Sequence, residues 1–254
     1  MDKDKLVKLW KTEEDNFELH GWDFTYLDNK WESPEAPWDY VTIIRTYLKD
    51  SNRLLDLGTG GGEVLLTIGH PHSNTYVTEG YFPNLELCIK QLSPLGVTVK
   101  QSYEDDKIPY EDDFFDFIIN RHESFDVAEV DRTLKCGGYY FTQQVINKNH
   151  KELAEILNGF SPDDYPNHGL DFYANAFTKI GYKVIIRDEV ILPTKFFDVS
   201  AVIFYAKAIP WEIFDFSVDT HLDKLFVIQD IIDKDGFFQA TSGRFLFGVQ
   251  KPVS

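Results

Sequence analysis

The sequence predicts an α/β fold built around a parallel β-sheet. Short apolar runs of the kind that form buried strands alternate with segments whose apolar residues recur at helical spacing. The chain has 254 residues, of which 43% are hydrophobic and 15% aromatic. This is enough material for one sizeable core, with or without a small additional lobe.

The predicted elements follow one another in a regular order. Seven strands are predicted, at residues 53–57, 75–78, 97–100, 115–120, 139–145, 182–191 and 244–250. Helices are predicted from about residue 62, from about residue 84, and at 125–134 and 170–180. Pro94 ends the second helix because its ring cannot continue the helical hydrogen bonding. Gly137 and Gly138 form the turn that leads into the fifth strand.

Two regions interrupt the alternation, so four segments are predicted. Residues 1–50 form an aromatic-rich N-terminal cap, 51–192 form the core, 193–242 form a helical insertion, and 243–254 return to the core as its last strand. The insertion is predicted to contain one or two helices that are apolar on one face. Such a segment is typical of a lid that excludes water from a pocket, and a dimer interface is the alternative.

The charge balance favours a small-molecule ligand over nucleic acid. The net charge is −17 and no run of Lys or Arg is longer than a pair, whereas nucleic-acid binding usually needs a basic stripe. No apolar stretch is long enough to span a membrane, and the charged N-terminal residues 1–5 lack the apolar segment of a secretory signal. Cys88 and Cys136 lack metal or disulfide-framework spacing, and His70 and His72 lack a third ligand, so no metal is expected. We therefore expect a cytoplasmic protein, monomeric or homodimeric.

A glycine-rich loop after the first strand is the most informative motif. Its residues are Asp56, Leu57, Gly58, Thr59, Gly60, Gly61 and Gly62. Residues without side chains let the backbone approach a ligand closely, and the following helix offers its N–H groups. Glu79 ends the second strand about twenty residues later, where a doubly wound fold places a carboxylate on ribose hydroxyls. Asp56 would repel a pyrophosphate but suits a cationic ligand, which favours a sulfonium cofactor over a dinucleotide.

This loop and several later segments resemble the motifs of class I S-adenosylmethionine-dependent methyltransferases. The resemblance extends over about residues 51–191 and includes the acid at Glu79, the segment 113–120 and the segment 134–144. It implies a Rossmann-like doubly wound sheet of seven strands, with the last strand antiparallel at or near the edge. It also implies S-adenosylmethionine as cofactor, with Glu104 or Asp105 contacting the adenine. The residues implied in cofactor binding are Asp56, Gly58, Thr59, Gly60, Gly62, Glu79, Glu104, Asp105 and Asn120.

The end of the fourth strand is the place where the family implies methyl transfer. His122 is the leading candidate for a base or an orienting group, and Glu123 is the second catalytic candidate, as its partner or as a substrate contact. The alternative is a helix entry in which both residues are structural. Candidate contacts of the acceptor are Trp31, Trp38, Gln143 and Trp211. Gln144 is the alternative to Gln143, because side chains alternate along a strand and only one of the two faces the pocket.

The resemblance implies a methyltransferase acting on a small molecule, at oxygen, nitrogen or carbon. An RNA base methyltransferase of the ribosomal RNA type is one alternative, although such enzymes are usually more basic. A non-catalytic regulatory protein that binds S-adenosylmethionine is another.

Overall fold

The computed structural model describes residues 2–19, 23–103, 107–160 and 168–253. The chain divides into two compact units. The helical unit comprises residues 1–35, 147–166 and 191–243, and the sheet unit comprises residues 36–146, 167–190 and 244–254. Among the helices in the described ranges, none has the length and apolar character needed to cross a membrane.

Helices and strands alternate along most of the chain. The helices are α1 (Lys3–Asp15), α2 (Tyr40–Tyr47), α3 (Glu63–Ile68), α4 (Phe82–Gln91), α5 (Val127–Thr133), α6 (Lys151–Asn158), α7 (Leu170–Lys179), α8 (Val199–Ala208) and α9 (Val218–Asp235). The strands are β1 (Trp31–Glu32), β2 (Leu54–Leu57), β3 (Thr75–Glu79), β4 (Thr98–Gln101), β5 (Phe115–Arg121), β6 (Leu134–Val145), β7 (Lys183–Ile191), β8 (Thr194–Phe196), β9 (Phe238–Ala240) and β10 (Gly243–Gln250).

The sheet unit contains a seven-stranded sheet with the order β4-β3-β2-β5-β6-β10-β7. The pairs from β4 through β6 are parallel, and β10 runs antiparallel to β6. The predicted fold class is therefore confirmed, including the antiparallel last strand, which lies between β6 and the edge strand β7. Parallel strands need crossover connections, and α3, α4 and α5 lie in those from β2 to β3, from β3 to β4 and from β5 to β6.

Both faces of this sheet are covered, which explains why its central strands are apolar throughout. All four residues of β2 are buried. On one face, side chains such as Leu55, Ile118 and Tyr140 pack with residues of α5 and α7. On the other face, Leu54 and Ile119 pack with residues of α2, α3 and α4. A strand that is buried on both sides has no solvent-exposed face, so apolar and polar residues do not alternate along it.

The fifth predicted strand begins earlier than the sequence indicates. Residue Leu134 already pairs with Phe115, and the register shifts so that Phe117 pairs with Tyr139. The intervening residues bulge out of the ladder where the sequence predicts a turn. Gly137 has a φ of +76°, a left-handed conformation that glycine adopts without a steric penalty. The predicted glycine turn is thus a bulge inside one long strand.

The helical unit contains a small second sheet that the sequence analysis does not predict. Strands β1, β8 and β9 form it in the order β1-β8-β9, with antiparallel pairing. The insertion contains the two helices α8 and α9 in addition to β8 and β9. Nine of the ten residues of α8 are buried, so this helix is apolar on nearly all sides rather than on one face. It forms the centre of its unit's own core. Whether the segment acts as a lid or as an interface stays a prediction.

Candidate active site

The loop between β2 and α3 adopts the backbone conformation that its glycines predict. The φ angles of Gly58, Gly60 and Gly62 are +62°, +63° and +84°. These values lie in the left-handed region, which side chains other than glycine rarely adopt. The Thr59 amide donates a hydrogen bond to the Thr78 carbonyl oxygen at 3.2 Å, which ties the loop to the end of β3. The loop is therefore held against the two strands that flank it.

Glu79 lies at the end of β3, with only 3% of its surface exposed. One carboxylate oxygen accepts a hydrogen bond from the Gly60 amide at 2.8 Å, and the other accepts one from the Tyr81 amide at 2.9 Å. The predicted loop and the predicted acid are thus in direct contact. These two amides fix the orientation of the carboxylate, and each of its oxygens has a second lone pair that could accept a ligand hydroxyl.

Asp56 is the second buried carboxylate of the loop, with 7% of its surface exposed. The Thr59 hydroxyl donates to it at 2.6 Å. Burial raises the pKa of Asp56 to about 7, and the nearby negative charge of Glu79 acts in the same direction. The hydrogen bond from Thr59 and the positive charge of Arg121 oppose this rise. A cation placed beside Asp56 would stabilise its ionised form further.

A cavity of about 200 Å³ opens beside the glycine loop. It is lined by Leu57, Gly58, Thr78, Glu79, Gly80, Ser102, Tyr103, Lys107, Ile108, Glu123, Ser124, Phe125 and Asp126. Gly58 leaves room for a neighbouring side chain: a Cβ atom built there would lie 2.3 Å from Cγ of Glu123. A wider groove of about 530 Å³ shares Lys107 and Ile108 with this cavity, but the glycine loop does not line it.

Asn120 connects the ends of β5 and β6 on the face that packs against α5 and α7. Its Oδ1 atom accepts hydrogen bonds from the amide of Gln144 at 2.6 Å and from the hydroxyl of Thr142 at 3.3 Å. The Gln144 amide also donates to the carbonyl oxygen of Glu123 at 2.9 Å. The Nδ2 atom of Asn120 is buried and has no hydrogen-bond partner among the residues described. A buried amide without a partner is costly unless a ligand accepts from it.

His122 lies one residue beyond β5 and is joined to Gln143. Its backbone amide donates to the Gln143 carbonyl oxygen at 2.9 Å, and its Nε2 atom lies 3.3 Å from Nε2 of Gln143. The indole N–H of Trp38 donates to Oε1 of Gln143 at 2.7 Å, which directs the Gln143 amide nitrogen toward His122. Because an amide nitrogen only donates, this arrangement makes His122 Nε2 an acceptor.

A lowered pKa favours the neutral form of the His122 ring. Solvent reaches the residue, but surrounding protein atoms remove enough hydration to hold the pKa of His122 well below its usual range. The positive charges of Arg244 and Arg121 lower this pKa further. The φ of His122 is +67°, a left-handed conformation uncommon for a side-chain-bearing residue and often found at functional sites. A neutral imidazole can act as a proton acceptor.

Most of the residues proposed from the sequence lie in the sheet unit, at the edge of its sheet where the parallel strands have their carboxyl ends. Asp56, Thr59, Glu79, Asn120, His122, Glu123, Trp38 and Gln143 are joined to one another or to the glycine loop by the contacts above. Trp31 and Trp211 belong to the helical unit, where Trp31 stacks on Phe24 and Trp211 is 48% exposed. Glu104 and Asp105 lie outside the described residues.

Gln144, the alternative to Gln143 in the sequence, lies at this edge together with two residues that the sequence does not single out, Tyr40 and Cys88. Gln144 bonds to Asn120, and the hydroxyl of Tyr40 donates to the Asn120 carbonyl oxygen at 3.1 Å. The thiol of Cys88 donates to the Gly60 carbonyl oxygen at 2.8 Å. Only the polar pair at the end of β6 carried a signal in the sequence, because Tyr40 and Cys88 are ordinary members of amphipathic helices.

Within the described ranges, no group of three or more His, Cys, Asp or Glu side chains is arranged to hold an ion. His70 instead contacts the backbone carbonyl oxygen of Asn52 at 3.0 Å through its Nε2 atom.

Comparison with known proteins gives structural relatives only. No protein-family model and no curated protein sequence matches the chain. A provisionally named methyltransferase from Bacillus halodurans C-125 superposes with a TM-score of 0.57 at 14% identity, covering 84% of this chain and 97% of its own. A provisionally named sarcosine dimethylglycine methyltransferase from Galdieria sulphuraria superposes with a TM-score of 0.52 at 14% identity, covering 98% of both chains. The [4+2]-cyclase SpnF has a TM-score of 0.51 at 14% identity, covering 98% of this chain and 94% of its own.

At these identities the similarity concerns the fold. The seven-stranded sheet with its antiparallel last strand superposes on these structures as a shared overall fold. The chain has the fold of the class I methyltransferases.

Proposed function

We propose that the protein transfers a methyl group from S-adenosylmethionine to a small-molecule acceptor. The observation that carries this proposal is the pair of buried carboxylates, Asp56 and Glu79, on either side of a loop whose glycines take left-handed conformations. This arrangement suits a ligand with a cationic amine and a ribose. A pyrophosphate beside Asp56 would be repelled, because two like charges in a poorly hydrated site interact strongly.

Two features of the sheet edge support the fit of such a cofactor. A Cβ atom at Gly58 would collide with Glu123, so the loop backbone and the Glu123 side chain share a space that only glycine leaves open. The buried Nδ2 atom of Asn120 offers a hydrogen-bond donor that no described residue uses. We propose that Asp56, the loop amides and Glu79 bind the amino-acid and ribose parts, and that Glu104 or Asp105 contacts the adenine. The cofactor, when bound, supplies a methyl group on a positively charged sulfur.

The catalytic contribution of the chain is then positioning and, for a protonated acceptor, removal of one proton. Methyl transfer is an in-line displacement, so holding the nucleophile against the methyl carbon accounts for much of the rate. His122 is neutral and can accept that proton at a ring nitrogen. Gln143, held by Trp38, orients the His122 ring. Glu123 is the second candidate for a catalytic role, as the partner of His122 or as a contact of the acceptor.

The structural relatives do not settle the reaction type. One of them is named as a [4+2]-cyclase, and a shared fold does not imply a shared reaction. A protein that binds the cofactor without transferring its methyl group is the corresponding rival proposal. An RNA acceptor is disfavoured by the net charge of −17.

Methyl transfer can be tested directly with S-adenosylmethionine labelled in its methyl group. The purified protein is incubated with the labelled cofactor and a small-metabolite extract, and label is followed into products by mass spectrometry. We expect label in one or a few metabolites with wild type and far less with Glu79→Ala. Cofactor binding without label transfer to metabolites or to added RNA would favour the non-catalytic rival.

A further inference from the structure

We propose that the acceptor carries an oxyanion group, a carboxylate or a phosphate, which Arg121 and Arg244 bind beside His122. This inference rests on the proposed function, because it names the substrate class of the same site. It concerns two residues to which the proposed function assigns no role.

The sheet register places both arginines on one face. Arg121 pairs with Gln143 on β6, Gln143 pairs with Leu246 on β10, and Arg244 lies two residues before Leu246. Residues that are paired across strands, or two apart along one strand, project to the same side of a sheet. This side also carries Asp56, because Asp56 pairs with Ile119, two residues before Arg121.

Both arginines lie at the edge where methyl transfer would occur. Arg121 is the last residue of β5, and because β10 is antiparallel to β6, its second residue, Arg244, reaches the same edge. They are two strands apart, about 10 Å across the sheet. Gln143 lies on the strand between them and contacts His122. Arg121 is directly opposite Gln143, and Arg244, which is opposite Val145, is diagonal to it. The two arginines therefore lie on either side of the residue that contacts the imidazole, on one face of the sheet.

Electrostatics agrees with this placement. The charges of both arginines lower the pKa of His122, and that of Arg121 also lowers the pKa of Asp56. Arg121 is exposed at the strand end, and its side chain forms no ion pair or hydrogen bond with any residue of the described ranges. The chain as a whole is acidic, with a net charge of −17, so two positive charges near the proposed site of methyl transfer differ from the rest of the molecule.

The chemistry of the guanidinium group identifies the ligand class. Its planar fork of N–H donors matches carboxylate and phosphate oxygens, often with two hydrogen bonds at once. An acceptor held by its anionic end would present a neutral nucleophile to His122. The carboxylate of the cofactor's own amino-acid part has the same chemistry, so the test must separate the two sources.

The test uses three aromatic probes on protein saturated with S-adenosylhomocysteine. Benzoate and phenyl phosphate carry an oxyanion, and benzamide is the neutral match. Binding is followed by NMR through the His122 ring resonances, assigned with the His122→Ala variant. We expect both oxyanions to shift these resonances at saturable concentrations, with dissociation constants raised about tenfold by Arg121→Gln and by Arg244→Gln. Arg121→Lys should retain part of the affinity because it keeps the charge.

The control variant is Arg187→Gln. Arg187 lies exposed on β7, where it forms an ion pair with Asp171, and its removal changes the net charge by the same amount. It should leave the probe affinities within twofold. Thermal unfolding of all variants checks that the sheet unit remains folded.

Three outcomes would overturn the proposal. Equal binding of benzamide and benzoate would show that no anion site exists. Unchanged oxyanion binding in both glutamine variants would remove the arginines from it. If Arg121→Gln and Arg244→Gln weaken S-adenosylhomocysteine as much as they weaken the probes, the arginines hold the cofactor's carboxylate instead. Binding of S-adenosylhomocysteine by the wild-type protein is measured separately by calorimetry before any probe is added. If the wild type does not bind it, the proposed function itself is contradicted.

Discussion

The ionisation of Asp56 makes a quantitative prediction about cofactor affinity. Its pKa is raised to about 7 by burial, so the carboxyl group is ionised in about one tenth of molecules at pH 6 and about nine tenths at pH 8. If the ionised form pairs with the cofactor's ammonium group, the association constant rises about tenfold over this range. This corresponds to about 1.4 kcal/mol of binding free energy.

The assay is calorimetric titration with S-adenosylhomocysteine at half-unit pH steps from 6 to 8. This product is preferred because its ammonium group keeps its charge across the range. Asp56→Asn is the matched control: it keeps the shape and an acceptor for the Thr59 hydroxyl but cannot ionise. We expect weaker binding by the variant and no rise with pH. Four histidines should contribute little to the pH dependence of cofactor affinity above pH 6. Burial lowers the pKa values of these residues, His70, His122, His168 and His221.

The same shift predicts the pH dependence of folding stability. The folded state holds the Asp56 proton more tightly than the unfolded state, whose pKa is near 3.8. The free energy of unfolding of the cofactor-free protein therefore falls as the pH rises from about 4 to about 7, and Asp56→Asn should flatten this fall. An affinity that is constant or decreases from pH 6 to 8, or a rise that persists in Asp56→Asn, would refute the role assigned to this carboxylate.

Three further substitutions, one of them with a matched control, separate the parts of the site. Gly58→Ala and Gly159→Ala both force a side chain into a left-handed conformation, at about 1–2 kcal/mol each, but only the Cβ atom at Gly58 meets another side chain. Gly58→Ala should therefore weaken cofactor binding about tenfold while Gly159→Ala leaves it unchanged in calorimetry; equal effects would contradict the packing argument. His122→Ala should reduce turnover strongly and leave cofactor affinity within twofold, and wild-type turnover should not fall between pH 8 and 6 through this residue, because its pKa is lowered. A variant with full turnover would make His122 structural. Trp38→Phe removes the donor to Gln143 and should lower turnover several-fold with little change in cofactor affinity; a loss of cofactor affinity instead would place Trp38 in the cofactor site.

The sheet and the glycine loop could be predicted because their signals are local. Buried parallel strands are short apolar runs, and the loop needs glycines where the backbone takes left-handed angles. The contact between Glu79 and the loop follows from strand order once the fold is recognised. The sequence predicts a turn where the structure has the bulge in β6, because both features place glycine at the same kind of backbone angle.

The remaining features depend on contacts between distant parts of the chain. The helical unit combines three separate segments, and its small sheet pairs β1 with β8, more than 160 residues later. No periodicity marks a two-residue strand. Arg121 and Arg244 each look like an ordinary surface cation in the sequence. Only the register of β5, β6 and β10 brings them to one edge.

The identity of the cofactor is tested most directly by calorimetric titration of the purified protein with S-adenosylhomocysteine and, separately, with NAD. We expect one site for S-adenosylhomocysteine and no comparable binding of NAD. We also expect a strong loss of affinity in Glu79→Ala, which removes the buried carboxylate proposed to bind the ribose. Binding of NAD as tight as that of S-adenosylhomocysteine, or an unchanged affinity in Glu79→Ala, would contradict this assignment of the cofactor.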